Sequence, residues 1–284
     1  MNKIILKERL SKEVFKMVIE APLIAEAHQA GQFVIIQLGG EYDERIPLTI
    51  ADSDKEKGTI TMVIQAVGAT THKLVNKEVG DSIENVLGPL GQPSEIENYG
   101  KCVLVGGGIG MAPLYPILKA LKAAGNYVTV ILGARNKSLL VMKEETTAVA
   151  DEVIIMTDDG SEGRKGLVTV PLKEMCEDTD KKPDFAMIIG PPIMMKFAAL
   201  TTKPYGVKTF VSLNTLMVDG TGMCGGCRVH IGDETKFVCV DGPDFDGHLV
   251  DWDNMLTRLG TYKPQEQEAH HVCHVGLNIP EGDA

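Results

Sequence analysis

Short apolar stretches interleaved with polar residues, such as FVIIQL (residues 33–38) and TITMVIQAV (59–67), run from Lys3 to about Leu87 and are broken by GG, DSDKEKG and similar turns. A period near two is the signature of strands with one face buried, so this region reads as antiparallel β structure. From Lys101 the texture changes. KCVLVGGGIG is followed by MAPLYPILKALKAAG, with apolar residues at helical spacing, and then by YVTVILGA. Strand, glycine-rich turn, helix and strand in that order make a βαβ unit. A further strand (EVIIMTDD), a helix (VPLKEMCED) and another strand (DFAMIIGPP) extend it to about residue 210. The chain from Phe210 is rich in glycine and cysteine and then polar, and KPQEQEAHHVCHVGLNIPEGDA reads as a tail. The expected architecture is therefore an antiparallel β-barrel over 1–98, a parallel-sheet α/β domain over 99–210, and a small C-terminal domain with its tail over 211–284.

Composition narrows the class. A length of 284 residues supports two or three domains, each able to bury a core. The net charge of −11 argues against a nucleic-acid partner, which would need clustered Lys and Arg. The opening MNKIILKERLSKEV interrupts its apolar residues with charges, so no secretory signal is expected. No run of eighteen apolar residues suggests a membrane span. The expected location is the cytoplasm, where disulfides are rare and clustered cysteines point to metal or redox chemistry. Cys102 and Cys176 stand apart in apolar surroundings and are expected to be small buried hydrophobes.

Three of the six cysteines, Cys224, Cys227 and Cys239, fall in VDGTGMCGGCRVHIGDETKFVCVDG with the spacing C-x2-C-x11-C. Metal sites normally use four protein ligands, so the loop raises the question of the fourth. Zinc completed by His230 or an acidic residue is one answer. The usual zinc spacings, two C-x2-C pairs or one pair with spaced histidines, are not found here. His270, His271, Cys273 and His274 in the tail read as an exposed or docking segment rather than a metal site.

In the α/β region the strand VLV runs into Gly106-Gly107-Gly108-Ile109-Gly110 at the start of a helix, a layout that lets phosphates approach backbone N–H groups. The G-x-G-x-x-G fingerprint is not completed, because Met111 occupies its last position. The second strand ends in Arg135 rather than in a ribose-binding acid. Tight strand-to-helix turns also need glycine for steric reasons. Two more loops, Thr157-Asp158-Asp159-Gly160-Ser161 and Gly190-Pro191-Pro192, each follow a strand. All three are thus expected at the carboxyl edge of one parallel sheet, where ligands bind. Arg135 is a candidate for a phosphate or ribose contact, or else an exposed charge. In the β region, Arg45-Ile46-Pro47-Leu48-Thr49 sets a cation, a fixed residue and a hydroxyl along an extended stretch. Gly68-Ala69-Thr70-Thr71 places hydroxyls ahead of a short helix, which suits an anion or an ordinary capped turn.

Taken in order, R-x-P-L-T, G-x-T-T-x-x-L, G-P-L-G (Gly88 to Gly91), G-G-G-I-G-x-A-P and G-P-P-x-M-M resemble the ferredoxin–NADP reductase superfamily over nearly the whole chain. The resemblance implies that the barrel holds FAD. Arg45 and the hydroxyls of Thr70 and Thr71, with Gly68, would then be at the pyrophosphate. Pro47, Leu48 and Thr49 would line the isoalloxazine, with Thr49 near its reactive nitrogen as the catalytic residue. NAD(H) or NADP(H) would be bound by Gly107, Gly108, Gly110, Gly190 and Pro191, with Arg135 and Asp158 nearby. The cofactors carry the hydride chemistry, and the protein mostly positions them.

Against plant-type [2Fe–2S] spacing, C-x4-C-x2-C with a distant fourth cysteine, this loop reads D-x4-C-x2-C with Asp219 in the first position. The resemblance implies a [2Fe–2S] cluster held by Asp219, Cys224, Cys227 and Cys239. The segment is similar to the cluster domain of dihydroorotate dehydrogenase electron-transfer subunits, which carry cysteine at that first position. The aspartate is similar to the three-cysteine, one-aspartate set of NADH-dependent reduced ferredoxin:NADP oxidoreductases. The implied function is an oxidoreductase subunit that passes electrons between NAD(P)H, FAD and the cluster. Its implied partner is a larger iron–sulfur flavoprotein resembling the glutamate synthase small subunit, with ferredoxin reached through an electron-bifurcating complex. The alternatives are a dihydroorotate dehydrogenase or sulfide dehydrogenase subunit, and a non-catalytic zinc-holding assembly subunit.

Overall fold

The computed structural model describes residues 2–39, 44–266 and 268, so the His/Cys tail segment at 270–274 lies outside the described residues. The chain opens with β1 (Asn2–Arg9), β2 (Val14–Glu20), α1 (Pro22–Ala27), β3 (Phe33–Gln37), β4 (Ile46–Thr49), β5 (Asp52–Asp54) and β6 (Thr59–Gln65), then α2 (Ala69–Val75), β7 (Ser82–Ile83) and β8 (Asn85–Leu90). The strands form two antiparallel sheets, ordered β5-β6-β2-β1-β7 and β4-β3-β8. Met17, Ile19, Met62 and Ile64 from one sheet share a core with Val34 and Ile36 from the other, which closes the pair into a barrel-like body. The β2–β6 register sets Met17 opposite Met62 and Ile19 opposite Ile60, so a slip by one residue would turn four buried side chains outward.

Strand β3 departs from the alternating pattern expected of FVIIQL, because it is buried on both faces. Val34 and Ile36 point into the barrel core, whereas Phe33 and Ile35 belong to a different core that contains Met217, Cys227 and Cys239. Both faces of this strand are covered, so all four positions from Phe33 to Ile36 are apolar and only Gln37 at its end is polar.

The second body follows as β9 (Lys101–Gly107), α3 (Met111–Ala123), β10 (Tyr127–Ala134), α4 (Lys143–Val149), β11 (Glu152–Thr157), β12 (Arg164–Lys165), α5 (Thr169–Glu177), β13 (Phe185–Ile189), α6 (Pro192–Thr202) and β14 (Lys208–Ser212). The last part holds β15 (Arg228–Ile231), β16 (Glu234–Phe237), α7 (Val238–Asp241), β17 (Asp244–Asp246) and α8 (Trp252–Leu259). The central sheet runs β12-β11-β10-β9-β13-β14-β17. Its strands are parallel except β17, which returns from the cysteine-rich segment and pairs antiparallel with β14. The cysteine-rich part is therefore tied into the nucleotide-type sheet, and β14 itself runs across residue 210.

Helices cover both faces of this sheet. Val103 and Val105 of β9 face one core and Cys102 and Leu104 the other, and all four are buried. By transfer from water, each large side chain contributes about 2 kcal/mol. Cys102 and Cys176 are both buried small hydrophobes, as their sequence setting suggests. Burial pushes the Cys102 thiol up to about 12, so it stays protonated. The chain leaves β9 toward β11 on one side and returns to β13 on the other, which makes the β9/β13 boundary the switch point of the sheet. Gly110 allows that boundary to close, since a Cβ there would stand 2.4 Å from the Ile189 carbonyl oxygen. Among the described residues, no helix is long and apolar enough to cross a membrane.

Candidate functional site

A cleft of about 930 Å³ opens at the switch point. One wall is the barrel segment Pro47-Leu48-Thr49. Opposite it stand Gly107 to Gly110 at the end of β9 and Gly190-Pro191 at the end of β13, and Arg135 and Asp158 lie farther along the sheet edge. Ten residues singled out from sequence thus converge on one cavity: Pro47, Leu48, Thr49, Gly107, Gly108, Gly110, Arg135, Asp158, Gly190 and Pro191. The walls are mostly apolar, with a few polar groups spaced around them, as in sites for flat cofactors. The Arg135 and Asp158 loops are tied together, because Asp158 N–H donates to Ala134 O at 3.1 Å and Asp159 N–H to Arg135 O at 3.2 Å.

The second barrel segment sits apart from these walls. Thr71 Oγ1 accepts from Gly68 N–H at 2.9 Å and Val67 N–H at 3.1 Å, capping α2. Thr70 Oγ1 donates to Glu44 at 2.7 Å, and Arg45 beside Glu44 is exposed. The Thr70 and Thr71 hydroxyls thus lie at the start of α2, with Glu44 drawn to Thr70, while Pro47 to Thr49 carry the chain after Arg45 onward into the cleft.

Several cleft residues were not singled out in the sequence. Gln65 and Val63 come from β6, and Leu213, Asn214, Met217 and Pro243 come from the cysteine-rich part. No local motif marks them. The barrel pair is placed by β6 pairing with β2, and the cysteine-rich residues by the pairing of β17 with β14, which folds the third segment back onto the cleft.

The cysteine loop lies behind β3. Cys227 and Cys239 are buried, and Cys227 Sγ donates to Cys239 Sγ at 3.3 Å. That separation is close to the ~3.8 Å edge of a tetrahedron built from ~2.3 Å metal–sulfur bonds. Burial, followed by the contact with Cys227, pushes the Cys239 thiol up to about 12, so a metal must displace its proton. Cys224 is exposed and its Sγ accepts from Gly226 N–H at 3.4 Å. Asp219 stands at the start of the loop, where its carboxylate accepts from Thr221 N–H and Cys224 N–H, both at 2.6 Å. These bonds, Thr221's first, hold its carboxyl down at about 2, fully ionised at neutral pH. Arg228 and Arg258 brace the loop by donating to the carbonyls of Gly225 and Gly226 at 3.1 and 3.0 Å.

Among the described residues, no three His, Cys, Asp or Glu side chains already converge as a metal cage. What the fold supplies is a preset thiol pair, a third thiol and an ionised carboxylate on one short glycine-rich loop, with N–H groups aimed at sulfur. This donor set fits an iron–sulfur cluster. It fits zinc with His230 less well, since that ring is exposed on β15 with Nδ1 3.4 Å from Thr235 Oγ1.

The cleft and the loop share a wall. A Cβ on Gly220, which follows Asp219, would stand 2.7 Å from Ile35 Cγ1, and Ile35 pairs across the sheet with Pro47 of the cleft. The return from Cys239 is anchored as well. Gln92 N–H donates to Gly242 O at 2.7 Å and Gln92 Nε2 to Val240 O at 2.9 Å.

Comparison with known proteins matches this layout. The family model for the iron–sulfur cluster binding domain of dihydroorotate dehydrogenase B covers residues 214–251, and that for the oxidoreductase NAD-binding domain covers residues 104–199. The chain is 51% identical over 267 residues to the dihydroorotate dehydrogenase B (NAD(+)) electron transfer subunit homolog of Thermotoga maritima, covering 94% of this chain and 93% of that one. The chain belongs to the family of dihydroorotate dehydrogenase B electron-transfer subunits and their homologues. The subunit of Bacillus caldolyticus is a more distant member, 34% identical over 83% of this chain and 92% of its own length. Among solved structures, that of an NADH-dependent reduced ferredoxin-NADP oxidoreductase, described for flavin-based electron bifurcation, superposes with a TM-score of 0.90 at 48% identity, over 96% of this chain and 97% of that one. A ferredoxin NADP+ reductase from Neisseria gonorrhoeae shares the fold, with a TM-score of 0.59 at 18% identity over 72% of this chain and 90% of its own. As a member of this family the chain is an oxidoreductase-type electron-transfer subunit with an NAD-binding and an iron–sulfur-binding domain.

Proposed function

We propose that this subunit takes electrons from NAD(P)H at FAD in the cleft and passes them through a [2Fe–2S] cluster to a larger iron–sulfur flavoprotein, within an electron-bifurcating NADH-dependent ferredoxin:NADP oxidoreductase. The observation that carries this reading is the single cleft whose walls come from the barrel, the switch point and the cysteine-rich part together. The shared wall between Gly220 and Ile35 gives the electrons a short exit.

FAD supplies the conversion between a two-electron hydride donor and one-electron carriers, and the cluster carries single electrons. The chain's own groups do the positioning. Pro47 and Leu48 would support the flat ring, and the Thr49 hydroxyl would donate a hydrogen bond to it. Arg45, Gly68, Thr70 and Thr71 would hold the pyrophosphate, with Thr70 exchanging Glu44 for phosphate oxygen. Gly107, Gly108, Gly110, Gly190 and Pro191 would bring the nicotinamide against the flavin by close backbone approach, and Arg135 and Asp158 would meet the nucleotide farther out. Asp219, Cys224, Cys227 and Cys239 would ligate the cluster. The buried thiols of Cys227 and Cys239 and the more open pair of Asp219 and Cys224, joined by a 2.6 Å hydrogen bond, would together hold the cluster.

Purified protein tests this directly. It is expected to contain FAD and about two irons per chain, and to bleach on addition of NADH or NADPH. A colourless protein with zinc and no flavin would overturn the reading. A second reading, a dihydroorotate partner, is favoured by the names of the relatives. Assays of the copurified complex with dihydroorotate, and with ferredoxin plus both nicotinamide nucleotides, separate the two.

A further inference from the structure

Ser212 lies on the cleft wall, and directly across the sheet from it, in the β14–β17 register, stands Asp244. Residues opposite one another in an antiparallel pair share a face, so the Ser212 hydroxyl and the Asp244 carboxyl are neighbours. Asp244 as a residue is half-buried, but its carboxyl is enclosed. Oδ2 accepts from Ser94 Oγ at 2.5 Å, whereas Oδ1 is closed off from solvent with no hydrogen-bond partner among the described residues. Beyond the carboxyl is a cavity of about 10 Å³ whose lining includes Ser94, Glu95, Phe185 and Phe210, room for roughly one water. Glu95 is exposed at its rim. The carboxyl thus stands between the cleft wall and a water-sized opening toward solvent.

We propose that Asp244 is a redox-linked proton site, which binds a proton at Oδ1 by way of the Glu95-rimmed cavity when reduction places negative charge in the cleft, and releases it when the electrons leave. The step balances simply. A proton from solvent forms one O–H bond on the carboxylate and no other bond changes; the electrons are those of the nucleotide reaction. The inference rests on the reading that the cleft holds a flavin. Linkage then requires reciprocity: a charge that favours protonation of Asp244 is itself stabilised by that protonation. Burial places the group in the right range, raising it to about 6, while the Ser94 hydrogen bond and the neighbouring Ser212 hydroxyl oppose the shift. Few other charges face it. Glu95 on the linker is paired with Lys208 of β14 at 3.1 Å, and Tyr99 stacks on Phe185. Asp246 lies two residues on in β17. From α3, β13 and β14 come Ile117, Met187 and Phe210, all apolar.

The test is the flavin midpoint potential of the full-length holoprotein, measured from pH 5 to 8. Wild type is expected to show a bend near pH 6 in the plot of potential against pH, and Asp244→Asn, which keeps the shape but cannot titrate, is expected to give a straight line there. A straight wild-type plot, or a bend kept by Asp244→Asn, would overturn the proposal. Should Asp244→Asn fail to fold, Ser212→Ala keeps the carboxyl and removes a neighbour that opposes its protonation; its bend is expected to move to higher pH, and an unmoved bend would overturn the proposal. A preparation with no bound flavin would instead overturn the functional reading, before any potential is measured.

Discussion

The sulfurs of Cys227 and Cys239 lie 3.3 Å apart, although eleven residues and a β-hairpin separate them in the chain. The β15–β16 hairpin sets that distance by pairing Arg228, adjacent to Cys227, with Phe237, two residues before Cys239. Replacing either by serine is therefore expected to cut the iron content at least tenfold while FAD stays bound, as read from the iron-to-flavin ratio. Asp219→Cys is expected to keep the iron and to move the cluster potential, since thiolate is a softer and more electron-rich donor than carboxylate. An unchanged potential would show that Asp219 is not a ligand.

Gly220 holds the loop against the barrel in a backbone conformation, φ +74°, that side chains rarely adopt. A Cβ there would also press on Ile35 and Leu90, at 2.7 and 2.9 Å. Gly220→Val is expected to cost about 2–3 kcal/mol in denaturant unfolding from strain and overpacking. It should lower the rate of cluster reduction by NADH more than the rate of flavin reduction, which stopped-flow absorbance resolves.

Thr49 is the one hydroxyl on the Pro47-to-Thr49 wall. Thr49→Val preserves shape and removes the donor. The expected result is FAD content close to wild type with NADH-driven bleaching slowed about tenfold, the equivalent of ~1.4 kcal/mol. Loss of FAD with an unchanged rate per bound flavin would place Thr49 in binding rather than in positioning the reaction.

Asp244 gives stability a pH dependence of definite sign. Its folded pKa, about 6, lies above the ordinary aspartate value of 3.8, so the folded state holds the proton more tightly. The contribution is complete below the unfolded value and is lost as pH rises through about 6. Its size is at most about 3 kcal/mol, from the pKa difference at ~1.4 kcal/mol per unit. Asp244→Asn is thus expected to be more favourable relative to wild type at pH 8 than at pH 5. Chemical denaturation at the two pH values measures the difference, and equal differences would remove the assignment.

Much of the site was legible in the sequence because its chemistry is local. The turn at Gly107 to Gly110, the loop at Gly190-Pro191 and the cysteine spacing are each confined to one short stretch of chain, and the order of motifs led to the right family. The unbroken apolar run of β3 was legible as a strand but not as a strand with two cores. Its second face is covered by Met217, Cys227 and Cys239, almost two hundred residues later. Asp244 reads in sequence as one acid among many. Only the return of β17 onto β14 encloses its carboxyl beside Ser94 and Ser212.

By itself, then, the sequence determined the strand and helix periods, the glycines at the sheet edge, the kinds of donor atom carried by the cysteine loop and the family, since all of these rest on residue identity and short-range spacing. The tertiary structure decided that a barrel segment, a switch point and a cysteine-rich segment share one cleft, that two thiols stand side by side, and that a glycine brings the loop onto Ile35. Those outcomes depend on contacts between distant parts of the chain, and such contacts are set by packing and sheet register, which no local pattern encodes.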